Sequence, residues 1–347
     1  MKLAEQWEAA ARNRITEAQA RRVLSDIHEQ IHGSPLHTPS VDDYVATWLA
    51  RKQGETAPVT LAAYKGAANE FAAFLGDKSA QPLHYVTPAQ VAEWRDHAAN
   101  KATPRTANNK LKIVRVLFQS AWRDGLLTEN PAAKIQTLKA GRSKRRPFTL
   151  PELRSVLKVA NDEWRGMILI GLYTGQRLKD IASLTWANID LEEAEIRFST
   201  SKTDRFQVIP MAKALRRHIE EMPAGDDARA PLFPNAFKIA TGHLHTGLLS
   251  RQFSELLATA GLGKPPPETH EGTGKGRGAK REQNALSFHS LRHTATSLLK
   301  NAGVSDAVAR DLVGHESAAV SASYTHIDDA AKRKAIAKLP DILAQKR

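Results

Sequence analysis

Between Pro39 and Pro131 the apolar side chains recur at helical spacing. Val41, Tyr44, Val45 and Leu49 make one such face, and Leu61, Tyr64, Ala68, Phe71 and Leu75 make a second. Thr87-Pro88 and Thr103-Pro104 predict the starts of two further helices, with proline in the first turn, where its missing N–H costs nothing. In the last of these, Leu111, Val114, Leu117, Phe118, Ala121 and Trp122 repeat on one side, which marks their aromatic rings as core. Upstream, Ile15, Ala18, Val23, Leu24, Ile27 and Ile31 space a helix that Gly33-Ser34-Pro35 ends.

A different pattern follows. The stretch 134–147 is basic, contains glycine and ends in proline, a linker composition. Thr149 to Glu152 fits a capping box with proline inside the first turn. The apolar run Met167–Tyr173 breaks at Thr174-Gly175, and Ile181 and Leu184 return the chain to the core. Glu195–Phe198 and Phe206–Ile209 read as two strands of a hairpin whose polar turn, Ser199–Asp204, carries Lys202 at its tip. Residues 263–284 are rich in Gly, Pro and Lys and read as a long loop. Helices are expected through Ser290–Leu299 and over Asp306–Val313, the second stopping at Gly314. A last amphipathic helix, Asp328–Gln345, presents Ile336, Leu339, Ile342 and Leu343. The expected fold is mainly α with a small antiparallel β-sheet, an α+β class. Its parts are an N-terminal helical segment (1–37), a helical domain (38–134), a basic linker (135–147) and a second domain (148–347).

Composition changes this picture in two ways. The formal charge is +13, and residues 1–37 are balanced, so the excess lies in the two domains and favours a polyanionic partner. The balanced N-terminal segment therefore reads as a docking or oligomer-contact helix. Arg105, Lys110, Lys112 and Arg115 on the last helix of the first domain, with Lys144, Arg145 and Arg146 in the linker, are the candidate DNA contacts. There is no cysteine, which excludes disulfides, thiolate zinc sites and cysteine nucleophiles. With no run of about 18 apolar residues and a charged N-terminus, a cytoplasmic protein without membrane spans is expected.

The candidate chemistry lies near the C-terminus. His289 and Arg292 stand at i and i+3 on one helical face, His315 follows the Gly314 stop, and Tyr324 comes shortly after. Two imidazoles, a guanidinium and a phenol suit phosphate chemistry: a cation to hold the anion, proton carriers and an oxygen nucleophile. His289 and His293 at i, i+4 are also the spacing of a zinc pair, but no glutamate follows His289 and no third ligand is placed. The run Gly272–Gly278 lacks the phosphate-loop pattern and has no strand before it. No cofactor or metal is expected.

Taken in order, these residues resemble the catalytic domain of the tyrosine recombinases, the family of phage integrases, Cre and the Xer proteins. Thr174 to Asp180 resembles the first arginine box, Ser201-Lys202-Thr203 the catalytic β-turn lysine, and His289 to His293 the H-x-x-R box. Leu312 to His315 resembles the L-G-H box, with Val313 departing from its usual pattern, and Ser323 to His326 carries the nucleophile. The resemblance spans most of 148–326, and 38–132 is similar in pattern to the family's core-binding domain. It implies that Arg177 and Arg292 hold the phosphodiester, Lys202 is the general acid, His289 accepts the phenol proton and His315 hydrogen-bonds the phosphate. Tyr324 would attack to give a 3′-phosphotyrosyl bond, and Asp180 would orient a neighbour.

The resemblance further implies a site-specific recombinase that binds an inverted-repeat core in double-stranded DNA and acts as a tetramer, with a directionality factor or DNA-bending protein as a further partner. The C-terminal helix would dock on a neighbouring protomer. Phage or genomic-island integration is the expected role. The alternatives are a type IB-like topoisomerase working on one duplex, and a non-catalytic DNA-binding regulator that retains the fold; a regulator has no need of the phenol. Phage integrases of this class carry a small β-rich domain that grips arm sites. Only a short helical segment stands in its place here, so either arm sites are unused or an upstream piece is missing.

Overall fold

The computed structural model describes residues 38–141, 145–223, 226–242, 247–265, 284–315 and 317–327, together with Leu24, Ile27, His28, Gln30 and Ile31, which are helical. The expected helix Asp328–Gln345 and nearly all of the 263–284 loop lie outside the described residues. The chain divides into two compact units, Met1–Arg142 and Ser143–Arg347.

Among the residues described from 38 on, four α-helices make up the first unit: α1 (Val41–Glu55), α2 (Pro58–Leu75), α3 (Pro88–Lys101) and α4 (Pro104–Arg123). Local chemistry sets their starts. Ser40 and Asp43 form a capping box on α1, Thr87 and Gln90 form one on α3, and Thr103 caps α4. Each such cap satisfies N–H groups that the first turn leaves open, worth about 1 kcal/mol. Trp48, Phe71, Trp94 and Phe118 fill the core, with Phe71 edge-on to Trp94 at 5.3 Å and to Phe118 at 5.6 Å. Trp122, expected in that core, is 47% exposed. It sits at the margin of the buried stripe in the last turn of α4.

The second unit opens with α5 (Leu150–Val159), α6 (Asp162–Thr174) and the short α7 (Leu178–Ala182). A three-stranded antiparallel sheet follows, in the order β1 (Ile189–Asp190), β2 (Glu195–Ser199) and β3 (Phe206–Pro210). Ile196 pairs with Ile209 and Phe198 with Gln207, so the inward face is buried and Arg197 and Val208 face out. Then come α8 (Lys213–Glu220), α9 (Pro234–Thr241), α10 (Gly247–Thr259), α11 (His289–Asn301), α12 (Asp306–Val313) and α13 (Ala318–Ser323). The hairpin was legible in sequence; β1 was not, because two residues carry no alternation to read.

Helices α6 and α11 pack against each other at the centre of this unit. Gly171 permits their close approach, since a Cβ there would meet Leu291 and Phe288 at 3.0 Å. Phe253, Phe288 and Trp164 extend the core, Phe253 lying edge-on to Phe288 at 5.2 Å. Among the described residues no helix is long and apolar enough to cross a membrane.

Candidate active site

Helix α6 ends where Gly175 takes the left-handed conformation, φ +68°. The chain then turns through buried Gln176, whose amide nitrogen faces the carbonyls of Thr174, Leu312 and Val313 at 3.3, 3.2 and 3.4 Å. Arg177 is the N-cap residue of α7 and Asp180 lies in that helix's first turn. Asp180 is buried: its Oδ1 accepts from the Ser201 amide and hydroxyl, while Oδ2 lies 3.8 Å from Arg177 Nη1. One carboxylate thus addresses both the arginine and the turn between β2 and β3.

That turn is closed on itself. The Thr200 amide donates to Arg205, the Asp204 amide donates to Thr200, and the Thr200 and Thr203 hydroxyls meet at 2.8 Å. Lys202 stands exposed at its tip, as its sequence position predicted. The far side of the hairpin reaches α12, where Arg205 pairs with Asp311.

Arg292 is 2% exposed and its guanidinium is held on three sides. Nη1 donates to the Gly175 carbonyl at 2.8 Å, Nη2 to the Gly314 carbonyl at 2.9 Å, and Nε to His315 Nε2 at 3.1 Å. Gly175 and Gly314 are both left-handed helix C-caps, so the cation sits where two helix ends present partial negative charge. A guanidinium carries five N–H donors, so two remain for an incoming anion. Burial lowers Arg292 to about 10, with the charge of Arg177 adding to the effect, and it stays cationic at neutral pH.

An arginine N–H can only donate, so His315 Nε2 is an acceptor and its proton resides on Nδ1. That Nδ1 is buried and has no hydrogen-bond partner among the described residues. Burial pushes His315 down to about 4, and Arg292 pushes it the same way.

Tyr324 is the C-cap residue of α13. Its hydroxyl is 2.8 Å from His289 Nε2. Its ring lies 4.5 Å from that of His293 and 4.6 Å from that of His315, tilted about 30° to each, with Arg292 Cζ 5.8 Å from its centroid. Burial first, then His293 and the nearby arginines, drives His289 down to about 3; burial and His326 bring His293 to about 4. All three imidazoles are therefore neutral at pH 7, and a neutral His289 can accept the phenol proton.

The structure thus brings His289, Arg292, His315 and Tyr324 into direct contact, joins Asp180 to Arg177, and ties the Lys202 turn to Asp180 through Ser201. Arg177 acts on His289, Arg292 and His315 through its charge. Two contributors were missed from sequence. Gln176 is hidden because an amide beside an arginine carries no signal of its own. His293 reads in sequence as the end of the H-x-x-R box or as half of a zinc pair, with no role of its own. Among the described residues no group of three or more His, Cys, Asp or Glu side chains gathers as a metal site.

The candidate DNA contacts divide differently. In the first unit, Arg105 and Lys112 are exposed on α4, but Lys110 pairs with Glu70 and Arg115 donates to the carbonyls of Ala132 and Ile135. Arg115 thereby fixes the start of the segment read as linker, with Asn108 bonding Leu138 in both directions. In the second unit, Arg146 pairs with Glu152 through both terminal nitrogens, while Arg145 is exposed. Lys144 lies outside the described residues. The free cationic stripe on α4 is thus narrower than charge spacing alone suggested, because Lys110 turns to the half-buried Glu70 carboxylate and Arg115 to open carbonyls.

Comparison with known proteins places the chain in a family. The model of the phage integrase family matches residues 146–331, and that of the phage integrase SAM-like domain matches residues 40–137. Tyrosine recombinase XerC of Brucella suis is 25% identical over 78% of this chain and 84% of its own length. The putative prophage phiRv2 integrase of Mycobacterium tuberculosis is 26% identical over 70% of this chain and 64% of its own. Among solved structures, a lambda integrase dimer bound to a COC′ core site superposes with a TM-score of 0.64 at 20% identity, over 82% of this chain and 95% of that one. The Tn1549 transposon integrase in complex with a circular intermediate DNA also gives 0.64, at 18% identity, over 87% of this chain and 100% of that one. The chain belongs to the phage integrase family of tyrosine recombinases and is a recombinase enzyme.

Proposed function

We propose that this enzyme cuts and rejoins DNA through a 3′-phosphotyrosyl intermediate at a specific core site. The observation that carries the reading is the 2.8 Å contact between the Tyr324 hydroxyl and a neutral His289, set beside Arg292 and His315. A phosphodiester gains charge on its non-bridging oxygens as it is attacked, and preorganised cations and N–H donors stabilise that charge most strongly in a dry site. Arg177, the two remaining Arg292 N–H groups and the unpartnered His315 Nδ1–H fill that role.

Tyr324 Oη attacks phosphorus and passes its proton to His289 Nε2. The P–O5′ bond breaks, and the departing 5′-oxygen takes a proton from Lys202. Charge balance favours this order. The same arginines that depress His289 attract the phosphate, whose negative charge offsets them and returns the imidazole toward a pKa at which it accepts a proton. The phosphotyrosyl ester conserves the bond, so a new 5′-hydroxyl reverses the step with neither ATP nor metal. The DNA-bound lambda and Tn1549 neighbours support a duplex core as substrate, and the lambda integrase tetramer on a Holliday junction supports a tetramer acting on two duplexes. Integration and excision of a phage or genomic island is the biological role we assign.

The test is covalent trapping in EDTA on a duplex from the DNA bordering this gene, nicked near its core so that the cut cannot religate. A denaturation-resistant adduct that disappears in Tyr324→Phe is the expected result. Tight, salt-sensitive binding without an adduct would instead make the chain a DNA-binding regulator.

A further inference from the structure

Four polar side chains stand at intervals of four residues along one stripe of α11: His289, His293, Ser297 and Asn301. Each meets the segment 324–326. His289 holds the Tyr324 hydroxyl, and the His293 ring lies 4.5 Å from its ring. The Ser297 hydroxyl donates to the Tyr324 carbonyl at 3.3 Å and accepts from the His326 amide at 3.0 Å. The Asn301 amide donates to the His326 carbonyl at 3.3 Å. Among the described residues, the hydrogen bonds that 324–326 makes beyond its own helical turn all end on α11. Beyond this, the Tyr324 ring packs on His315 and Arg292, and the Thr325 hydroxyl bonds back to Ser321. The segment leaves α13, a helix of six residues on which only Ser321 is buried.

We infer that His293, Ser297 and Asn301 are positioning residues: together with His289 they form a clasp on α11 that sets the Tyr324 backbone, so the phenol meets the phosphate held by the same chain's Arg292 and His315. The inference deepens the proposed reaction and rests on it for its catalytic consequence. Its structural content, the restraint of the segment, stands independently. Arg292 and the clasp share one helix, so the phosphate holder and the nucleophile's mount move as one body. A displacement of about 1 Å in a reacting group costs on the order of a hundredfold in rate, and that places so much weight on a backbone contact remote from phosphorus.

The test uses the full chain carrying Ser297→Ala and, as a second variant at a half-exposed site, Asn301→Ala. Hydrogen exchange read on a peptide spanning 318–327 should quicken about tenfold in Ser297→Ala, from loss of the bond to the His326 amide, with α6 unchanged. Adduct formation at saturating protein on the nicked duplex should slow about tenfold while duplex affinity stays within about twofold. Ser297→Thr, which keeps the hydroxyl, should recover both. Wild-type exchange in both alanine variants overturns the clasp, as does a parallel loss of affinity and rate. Quickened exchange in a protein that forms no adduct even as wild type keeps the clasp and sinks the proposed reaction instead.

Discussion

Asp180 and Ser201 are joined twice, the carboxylate accepting from the Ser201 amide at 2.9 Å and from its hydroxyl at 2.7 Å. The residue next to Ser201 is Lys202, and the other Asp180 oxygen faces Arg177, so one buried carboxylate ties together Arg177, the proposed phosphate holder, and the turn that carries Lys202, the proposed general acid. Both Ser201 bonds end on Oδ1, so Asp180→Asn, with its carbonyl in that place, keeps their acceptor and removes the charge that Arg177 faces. Adduct formation should fall roughly 10- to 100-fold, about 1.4–2.7 kcal/mol in activation free energy, with core-duplex affinity nearly unchanged. Single-turnover cleavage on the nicked duplex measures the first and a salt-controlled titration the second. A wild-type rate would mean that the hairpin holds Lys202 without this anchor.

His289 is assigned proton transfer, and its variants should separate that role from packing. His289→Gln retains a polar side chain beside the phenol but cannot carry the proton. The expected loss in cleavage rate is about 10²- to 10⁴-fold, the usual contribution of a placed general base. His315→Gln still offers the phosphate an N–H and should lose less. Equal losses in the two variants would remove the distinction between base and phosphate donor.

The members of the proposed catalytic set could be picked out because they occupy local signals. Gly175 and Gly314 announce helix stops, and the residues past such stops, Arg177 and His315, are held at fixed positions by the backbone. His289 and Arg292 share a helix face by spacing alone. What could not be read was long-range. Nothing in the sequence says that the two stop glycines, remote in the chain, converge to offer their carbonyls to one arginine. Nor does spacing distinguish the exposed Lys112 from Lys110, which turns to Glu70 on another helix. Charge pattern gives the sign of a face, whereas a partner on another helix decides which cations remain on it.

Gly175 offers a test of that convergence. Its φ of +68° is costly for any residue with a Cβ, and a Cβ there would also crowd the Val313 side chain at 3.0 and 3.1 Å. Gly175→Ala should destabilise the protein by about 1–2 kcal/mol, a fall of roughly 2–8 °C in Tm. It should also shift the carbonyl that holds Arg292, lowering the cleavage rate at temperatures where the protein remains folded. Thermal denaturation and single-turnover cleavage on the same preparation check both parts. A stable variant with unaltered cleavage would show that the turn accommodates a Cβ by local adjustment.

The three depressed imidazoles predict a stability profile with a defined direction. His289, His293 and His315 are held at about 3, 4 and 4 in the folded protein, against about 6.5 in an unfolded chain. Between these limits the unfolded state binds more protons, so stability rises with pH. Their contribution is complete above about pH 6.5 and is lost as pH falls from there toward 4. Comparing two conditions makes it measurable: Tm at pH 5 should lie on the order of 10 °C below Tm at pH 7. Replacing one of the three, as in His293→Phe, which keeps a ring against Tyr324, removes a group that must take up a proton on unfolding. That variant should show a shallower fall between the same two pH values. An unchanged slope would mean that His293 already takes a proton in the folded state, and hence that the site around Tyr324 is wetter than its packing implies.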